Sequence, residues 1–234
     1  MAETKRIIAI GGGEIRSKET LEIDGYIASL ARERAGERRP YGLFIGTASH
    51  DSMPYFNSFR KTYTSVYDIK ADVALTVYGE MDLEKIKGKF EKADFIYVGG
   101  GDTLYMLNRW REFGLLDLIR DAYERGVIVC GLSAGAICWF EDIYTDSELA
   151  ESDGLYSMQK GLGWLEGTVS PHYNERVNDF DEILLKMGDG ATAYGIENLA
   201  ALEFVDGKLT KSISCGGKAY IIKNNAGELI KTVV

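Results

Sequence analysis

The sequence predicts an α/β fold: a three-layer sandwich in which helices cover both faces of a mostly parallel β-sheet. Two observations predict it. Short apolar, strand-like segments alternate five times with helix-like segments along the chain, and glycine-rich loops follow three of the predicted strands, as at the ligand-binding edge of parallel sheets. The chain has 234 residues, 45% of them hydrophobic, which is enough for one large core. We therefore expect a single domain over residues 1–234.

The first half of the chain contains four predicted strands, each short, apolar and followed by helical spacing of apolar residues. The predicted strands are Arg6–Ile10, Tyr41–Ile45, Val73–Val77 and Phe95–Val98. The predicted helices cover residues 19–36, 55–67, 82–90, 102–110 and 115–125.

The second half begins with a fifth buried strand, Val127–Cys130, and a helix from Ala134 to Phe140. A further helix is expected over residues 175–187. The last segments, ALEFVDGKLTKSIS and KAYIIKNNAGELIKTVV, alternate apolar and polar residues around Asp-Gly and Asn-Asn-Ala-Gly turns. They predict antiparallel hairpins at one edge of the sheet.

Composition excludes several classes of function. The net charge of −9 is scattered along the chain, which argues against nucleic acid or an anionic membrane as partner. Three cysteines without C-x-x-C spacing and two histidines support neither a disulfide framework nor a metal cluster, and we expect no cofactor. Without a membrane-span pattern or a signal-peptide pattern, the expected setting is the cytoplasm.

Three glycine loops leave predicted strand ends: GGGE at 11–14, GGGDT at 99–103 and GLSAG at 131–135. The first loop has Arg16 where a dinucleotide motif needs its third glycine, and it lacks the Gly-Lys-Ser/Thr of a phosphate-binding loop. We interpret the first loop as a tight turn.

The GLSAG segment fits the G-x-S-x-G pattern of a nucleophile elbow. Such a turn holds a serine in a strained conformation between a strand and a helix, and small neighbours leave room for the turn and for a substrate. Ser133 would then be a nucleophile. The alternative is that Ser133 is an ordinary helix N-cap.

A serine nucleophile needs a histidine base and a group that orients the histidine. His172, in VSPHYNER, is the one histidine after Ser133; His50 is a competitor, and both could line the same cleft. The candidate orienting carboxylate is Glu197, in the apolar stretch ATAYGIENLAAL, where a charged side chain needs a partner. The alternatives are that His172 lies in a surface loop and that Glu197 caps a turn.

Four motifs occur in one order over residues 99–197: GGGDTLYML, GLSAGAICW, PHY and GIEN. With them the chain resembles the peptidase E (dipeptidase E) family of serine peptidases, which is related to cyanophycinases and shares the fold of class I glutamine amidotransferases. The resemblance implies that Ser133 is the nucleophile, His172 the general base and acid, and Glu197 the third member. In another version of the family triad the acid lies between serine and histidine, which would be Asp142 or Asp146 here.

The resemblance also implies an oxyanion hole and a substrate loop. The backbone N–H groups of Gly100 and Ala134 would bind the oxyanion, and Gly99, Gly101 and Asp102 would contact the substrate. The expected reaction is hydrolysis of small peptides through an acyl-enzyme. The expected partner is a small peptide substrate, and the expected assembly is a monomer or homodimer.

The sequence departs from the family after the histidine, where the longer, arginine-containing loop that binds an aspartyl side chain is absent. Arg176 is the nearby cation, and we expect it to bind a substrate carboxylate, as in an aspartyl dipeptide. The alternative is an exposed arginine paired with Asp179 or Glu175.

Three rival functions are compatible with parts of the pattern. An amidotransferase would need a cysteine at the elbow, but Cys130 lies inside the strand and Cys138 inside the predicted helix. An esterase would take its acid from residues 142–166. A catalytically silent small-molecule or peptide binding protein would keep the fold without the reaction.

Overall fold

The computed structural model describes residues 3–78, 82–147, 155–190 and 192–234. Its strands, in chain order, are β1 (Arg6–Ile10), β2 (Tyr41–Ile45), β3 (Lys70–Ala74), β4 (Phe95–Val98), β5 (Ile128–Leu132), β6 (Phe140–Thr145), β7 (Ser157–Lys160), β8 (Leu165–Ser170), β9 (Thr192–Ile196), β10 (Ala200–Val205), β11 (Lys208–Ser214), β12 (Ala219–Asn225) and β13 (Glu228–Val233). The helices are α1 (Leu21–Ala35), α2 (Met53–Tyr67), α3 (Leu83–Phe90), α4 (Thr103–Phe113), α5 (Leu115–Glu124), α6 (Ala134–Ile137) and α7 (Tyr173–Lys186).

The first sheet has the strand order β11-β10-β1-β5-β4-β2-β3. Five neighbouring strands of this sheet, β1, β5, β4, β2 and β3, are parallel to one another. The β10–β11 hairpin adds antiparallel strands beside β1. The inner strands are buried on both faces, which explains why they are continuous apolar runs in the sequence. The predicted α/β class with a mostly parallel sheet is confirmed.

A second sheet has the order β13-β12-β9-β8-β6-β7. Strands β6, β8 and β9 are parallel to one another, and β7, β12 and β13 pair antiparallel at the two sides. The two C-terminal hairpins therefore lie on edges of two different sheets, whereas the sequence predicted one shared edge.

Two hydrophobic clusters cover the two faces of the first sheet. One face packs on α1 and α2 through residues such as Ile27 and Phe59. The other face packs on α3, α4 and α5 through residues such as Trp110, and this cluster continues into the second sheet at Phe140. A third, smaller cluster joins α7 to the second sheet around Phe180.

The helix predicted over residues 134–140 ends at Ile137, and Phe140 begins β6. Beyond Ile137 the backbone bonds to the segment before β8: the carbonyl of Cys138 accepts from the N–H of Leu162 at 2.8 Å, and that of Trp139 from the N–H of Trp164 at 2.7 Å. These bonds draw the chain into the second sheet. The third strand is also shifted, to Lys70–Ala74 from the predicted Val73–Val77, because this edge strand is only partly buried and its apolar pattern is weak.

None of the described helices combines the length and the apolarity that crossing a bilayer requires.

Candidate active site

Ser133 lies at a strained turn between β5 and α6. Its φ of 53° and ψ of −111° are rare for a residue with a side chain. The two flanking glycines are required by space: a Cβ at Gly131 would lie 2.4 Å from the carbonyl oxygen of Gly135, and a Cβ at Gly135 would lie 2.2 Å from that of Val98. The two glycines of the G-x-S-x-G pattern are therefore explained by close backbone packing around Ser133.

His172 follows β8 and precedes α7, in a left-handed conformation with φ 48°. Its backbone N–H donates to the carbonyl of Gly11 at 3.0 Å, which ties the second sheet to the end of β1. Its Nε2 lies 2.9 Å from Ser133 Oγ. Serine and histidine, 39 residues apart in sequence, thus form the hydrogen bond that a nucleophile and its base need.

The other ring nitrogen of His172 contacts Asn198, which the sequence analysis did not single out. His172 Nδ1 lies 2.6 Å from Asn198 Oδ1, and Asn198 Nδ2 donates to Glu175 Oε1 at 2.5 Å. Because an ionised carboxylate only accepts hydrogen bonds, Glu175 requires the amide NH₂ on its side. Asn198 Oδ1 then faces His172 and accepts from Nδ1–H, which leaves Nε2 free to accept the Ser133 hydroxyl proton.

The prediction that Glu197 orients His172 is wrong in its geometry. The Glu197 carboxylate accepts from the backbone N–H of Lys218 at 2.8 Å and from the hydroxyl of Tyr220 at 3.1 Å. Both residues follow the end of β9 in the turn towards β10, where Glu197 faces β12 and Asn198 faces the histidine. The GIEN motif does lie at the site, but the side chain that contacts His172 is Asn198, the residue after Glu197.

The two alternative acids also lie elsewhere. Asp142 pairs with Lys160, its Oδ1 2.6 Å from Nζ. Asp146 pairs with Arg176, its Oδ2 3.1 Å from Nη2. Neither makes a hydrogen bond with His172 in the described part of the chain, where the Nδ1 partner is Asn198.

The first glycine loop, at residues 11–14, packs directly against the histidine and asparagine of the site. A Cβ at Gly12 would lie 2.0 Å from Asn198 Oδ1 and 2.5 Å from His172 Nδ1. A Cβ at Gly11 would lie 2.4 Å from the carbonyl oxygen of Glu197. The loop after β1 is therefore glycine because the histidine and asparagine pack directly on its backbone.

Two clefts border Ser133 and share Ser133 and Gly101. The His172 cleft, of about 620 Å³, is lined by Gly13, Glu14, Ile15, Arg16, Pro54, Tyr55, Ser58, Gly100, Gly101, Leu132, Ser133 and His172. The His50 cleft, of about 420 Å³, is lined by Ala48, His50, Gly101, Asp102, Ser133 and Asp146. Both histidines therefore line clefts at the serine, but His172 is the one bonded to it.

The predicted oxyanion donors lie close to Ser133. Ala134 is the first residue of α6, a position whose N–H has no partner within the helix. A Cβ at Gly100 would lie 3.3 Å from Ser133 Cβ. The N–H of Gly100 donates to the hydroxyl of Tyr55 at 3.3 Å, near the limit of a hydrogen bond. Desolvation raises the pKa of Tyr55 to about 12, so its hydroxyl stays protonated.

Gly99 and Asp102, both predicted to contact the substrate, have structural roles. Gly99 lies behind the site, where a Cβ would be 2.9 Å from the ring of Tyr55. Asp102 caps α4, accepts from the N–H of Tyr105 at 2.9 Å and accepts from the hydroxyl of Ser147, although it borders the His50 cleft. Gly101, with φ 138°, borders both clefts.

Arg176 is not at the surface of either cleft. Its side chain is 4% exposed, contacts Asp146, donates to the carbonyl of Tyr144 at 3.3 Å, and stacks over the ring of Tyr156 at 4.5 Å. The expected binding of a substrate carboxylate by Arg176 is therefore wrong, and so is the alternative pairing with Asp179 or Glu175. A helix position alone could not indicate which partner the second sheet would supply.

Among the described residues, no three His, Cys, Asp or Glu side chains converge as metal ligands would. Cys130 and Cys138 are buried, and burial raises the pKa of both thiols well above the usual range, which leaves them protonated and unreactive.

Comparison with known proteins gives one consistent result. The family model of Peptidase family S51 matches residues 7–212. The chain is 34% identical over 222 residues to the uncharacterized peptidase YgaJ of Bacillus subtilis, covering 92% of this chain and 91% of YgaJ. It is 24% identical over 174 residues to Peptidase E of Haemophilus influenzae, covering 71% of this chain and 77% of that protein.

A solved structure has the same fold. The crystal structure of a peptidase from an acI-B1 Actinobacterium superposes with a TM-score of 0.70 at 20% identity, covering 99% of this chain and 98% of that one. The predicted resemblance to peptidase E is confirmed by these matches. The chain belongs to peptidase family S51, a family of serine-type peptidases.

Proposed function

We propose that the chain hydrolyses short peptides through an acyl-enzyme on Ser133. The observation that carries the proposal is the 2.9 Å contact between Ser133 Oγ and His172 Nε2, with Asn198 Oδ1 at 2.6 Å from Nδ1. This arrangement has the three parts of a serine nucleophile, a base and an orienting acceptor. A neutral asparagine in the third position has a precedent in Cys-His-Asn peptidases.

In the first half of the reaction, Ser133 Oγ attacks the scissile carbonyl carbon while its proton moves to His172 Nε2. The carbonyl oxygen becomes an oxyanion, for which we propose the N–H groups of Ala134 and Gly100 as donors. The substrate oxygen would take the place of the Tyr55 hydroxyl at the Gly100 N–H, or share this donor with it. One such donor contributes about 3 kcal/mol in the transition state.

Collapse of the tetrahedral intermediate breaks the C–N bond, and His172 gives its proton to the leaving amine. Water then attacks the acyl ester as its proton moves to His172, and that proton returns to Ser133 Oγ when the acid product leaves. The Asn198 amide oxygen stabilises the imidazolium that forms twice in this cycle, and the bond to Glu175 holds the amide in place.

The geometry favours peptides without an aspartyl requirement in the acyl position. His172 lies on the leaving-group side, so the acyl residue would occupy the His50 cleft, whose lining among the described residues includes Asp102 and the Arg176-paired Asp146 and no lysine or arginine. Arg176, which the sequence suggested as the cation that binds a substrate carboxylate, is buried and paired with Asp146. Like charges repel an acidic side chain at this position. An Asp-Xaa dipeptide should therefore have no higher kcat/KM than its Asn-Xaa isostere.

A fluorophosphonate probe tests the proposed nucleophile. We expect stoichiometric labelling of Ser133 and release of products from a dipeptide library, and both should be lost in Ser133→Ala. Ser58→Ala is the matched control, because Ser58 lines the same cleft and its hydroxyl donates to the carbonyl of Pro54. Labelling that persists in folded Ser133→Ala, or that disappears in Ser58→Ala, would contradict the assignment.

A further inference from the structure

The His172 cleft contains an arginine that faces the leaving-group side of the site. Arg16 lies in the loop between β1 and α1, is exposed, and lines this cleft together with His172 and Tyr55. Because His172 Nε2 must reach the leaving amine to protonate it, the residue released from the peptide occupies the cleft that contains His172. Arg16 is therefore placed to meet the part of the substrate that leaves first.

The guanidinium of Arg16 has no ion pair or hydrogen bond within the described ranges. The acidic residues of its own loop are held by backbone groups. Glu14 Oε1 accepts from the N–H of Arg16 at 2.8 Å, and Glu19 Oε2 accepts from the N–H of Glu14 at 2.9 Å. These bonds order the loop while the Arg16 side chain keeps all its donors for another partner.

A second observation gives this end of the cleft a positive character. A small adjoining pocket of about 210 Å³ shares Arg16 and Ser58 with the His172 cleft, and among the described residues its lining adds two lysines, Lys18 and Lys61, and no carboxylate. The whole chain has a net charge of −9 and therefore repels an anion at long range. The three cations at this pocket give a locally positive potential that would attract an anion at short range.

We propose that Arg16 binds the C-terminal carboxylate of the leaving residue, so that the enzyme prefers short peptides with a free C-terminus. The inference rests on the proposed function, which it makes more specific. A guanidinium binds a carboxylate through two parallel N–H···O bonds, which fix its orientation as well as its charge. Lys18 and Lys61 add positive potential behind this contact. The carboxylate of a dipeptide's second residue would thereby position the scissile bond at Ser133.

The test compares Xaa-Ala dipeptides with the same set as C-terminal amides, which differ by one charge and little in shape. For wild type we expect kcat/KM to be at least about tenfold higher for the free acids, the usual size of a charge-assisted hydrogen bond. In Arg16→Gln this preference should fall below about threefold, with Arg16→Lys between the two because it keeps the charge and loses the fork.

Arg111→Gln is the matched control, because Arg111 is exposed near the end of α4 and lines neither cleft; it should keep the wild-type preference. Fluorophosphonate labelling of Ser133 is measured in Arg16→Gln and Arg111→Gln, to establish that each variant is folded and keeps its nucleophile. Equal cleavage of acids and amides by wild type, or an unchanged preference in Arg16→Gln, overturns the inference and leaves the proposed function standing. A wild-type protein that cleaves neither set overturns both the inference and the short-peptide substrate, while absence of labelling overturns the proposed nucleophile.

Discussion

The two sheets contribute unlike halves to one site. The first sheet supplies Ser133 after β5 and the Gly100 loop after β4, and its main feature is close packing of glycine backbone. The second sheet supplies His172 after β8 and Asn198 after β9, and its main feature is a chain of side-chain hydrogen bonds. The carboxyl ends of parallel strands from both sheets meet at the site, as parallel sheets favour.

The difference teaches where precision is needed. The nucleophile half depends on the absence of side chains, since glycine is required wherever backbone atoms approach within 2.4 Å of a Cβ position. The histidine half depends on the identity of each polar group, since the Asn198 amide must donate on one side and accept on the other. We therefore expect steric changes to damage the first half and hydrogen-bond changes to damage the second.

The largest effect should come from removing the contact between the halves. Ser133→Ala and His172→Ala should each lower kcat by several orders of magnitude, on the order of 10⁴-fold or more, and the double variant should be no worse than either alone, because the two groups act as one unit. Steady-state kinetics on the best dipeptide measures this. Additive losses in the double variant would mean that the two sheets contribute independently.

A smaller but still large effect is expected at the junction of the halves. In Gly12→Ala the added Cβ would lie 2.0 Å from Asn198 Oδ1, so the histidine–asparagine pair must move. We expect a loss in kcat of on the order of 10²-fold with KM little changed. The matched control is Gly88→Ala in α3, where an added Cβ meets no atom within 4 Å. Wild-type kcat in folded Gly12→Ala would contradict the packing described here.

The smallest effect concerns the scaffold and should leave chemistry untouched. Asp24 on α1 is buried, and burial raises its pKa to about 6, although the hydroxyls of Thr20 and Tyr63 donate to it. A raised carboxyl pKa means that the folded state favours the protonated form. Asp24 therefore stabilises the fold fully below pH 3.8, and this contribution is lost as the pH rises through about 6.

Urea unfolding of wild type and Asp24→Asn between pH 4 and pH 7 measures this contribution. Wild type should lose up to about 3 kcal/mol relative to the variant over this range, while kcat at pH 7 stays similar. A stability difference that does not change with pH would show that Asp24 does not titrate in this window.

The sequence predicted the first half of the site better than the second for physical reasons. Buried parallel strands are continuous apolar runs, so β1, β2 and β4 could be predicted with the observed bounds. The turn at Ser133 could be predicted because the lack of space for side chains at Gly131 and Gly135 requires glycine at both positions. In β6, β7 and β8 polar residues interrupt the apolar positions, so no continuous apolar run indicated these strands, whereas alternation predicted the hairpin of β12 and β13.

The side-chain partners of Glu197 and Arg176, which lie within the second sheet and its helix α7, could not be predicted from the sequence. The carboxylate of Glu197 attracted attention because a charge in an apolar stretch needs a partner, and its partners proved to be Lys218 and Tyr220. Nothing in a single sequence distinguished the direction of Glu197 from that of Asn198. Arg176 was misplaced for the same reason, since its partner Asp146 follows a strand that had not been predicted.

The central claim is that Asn198, and not its neighbour Glu197, orients His172. The most direct measurement is the rate of fluorophosphonate labelling of Ser133 as a function of pH in wild type, Asn198→Ala and Glu197→Gln. Gln at position 197 keeps an acceptor for the N–H of Lys218, so the fold is preserved. We predict a fall of on the order of 10²-fold for Asn198→Ala, with a displaced pH profile, and a wild-type rate and profile for Glu197→Gln. A slow Glu197→Gln beside a normal Asn198→Ala would contradict the account.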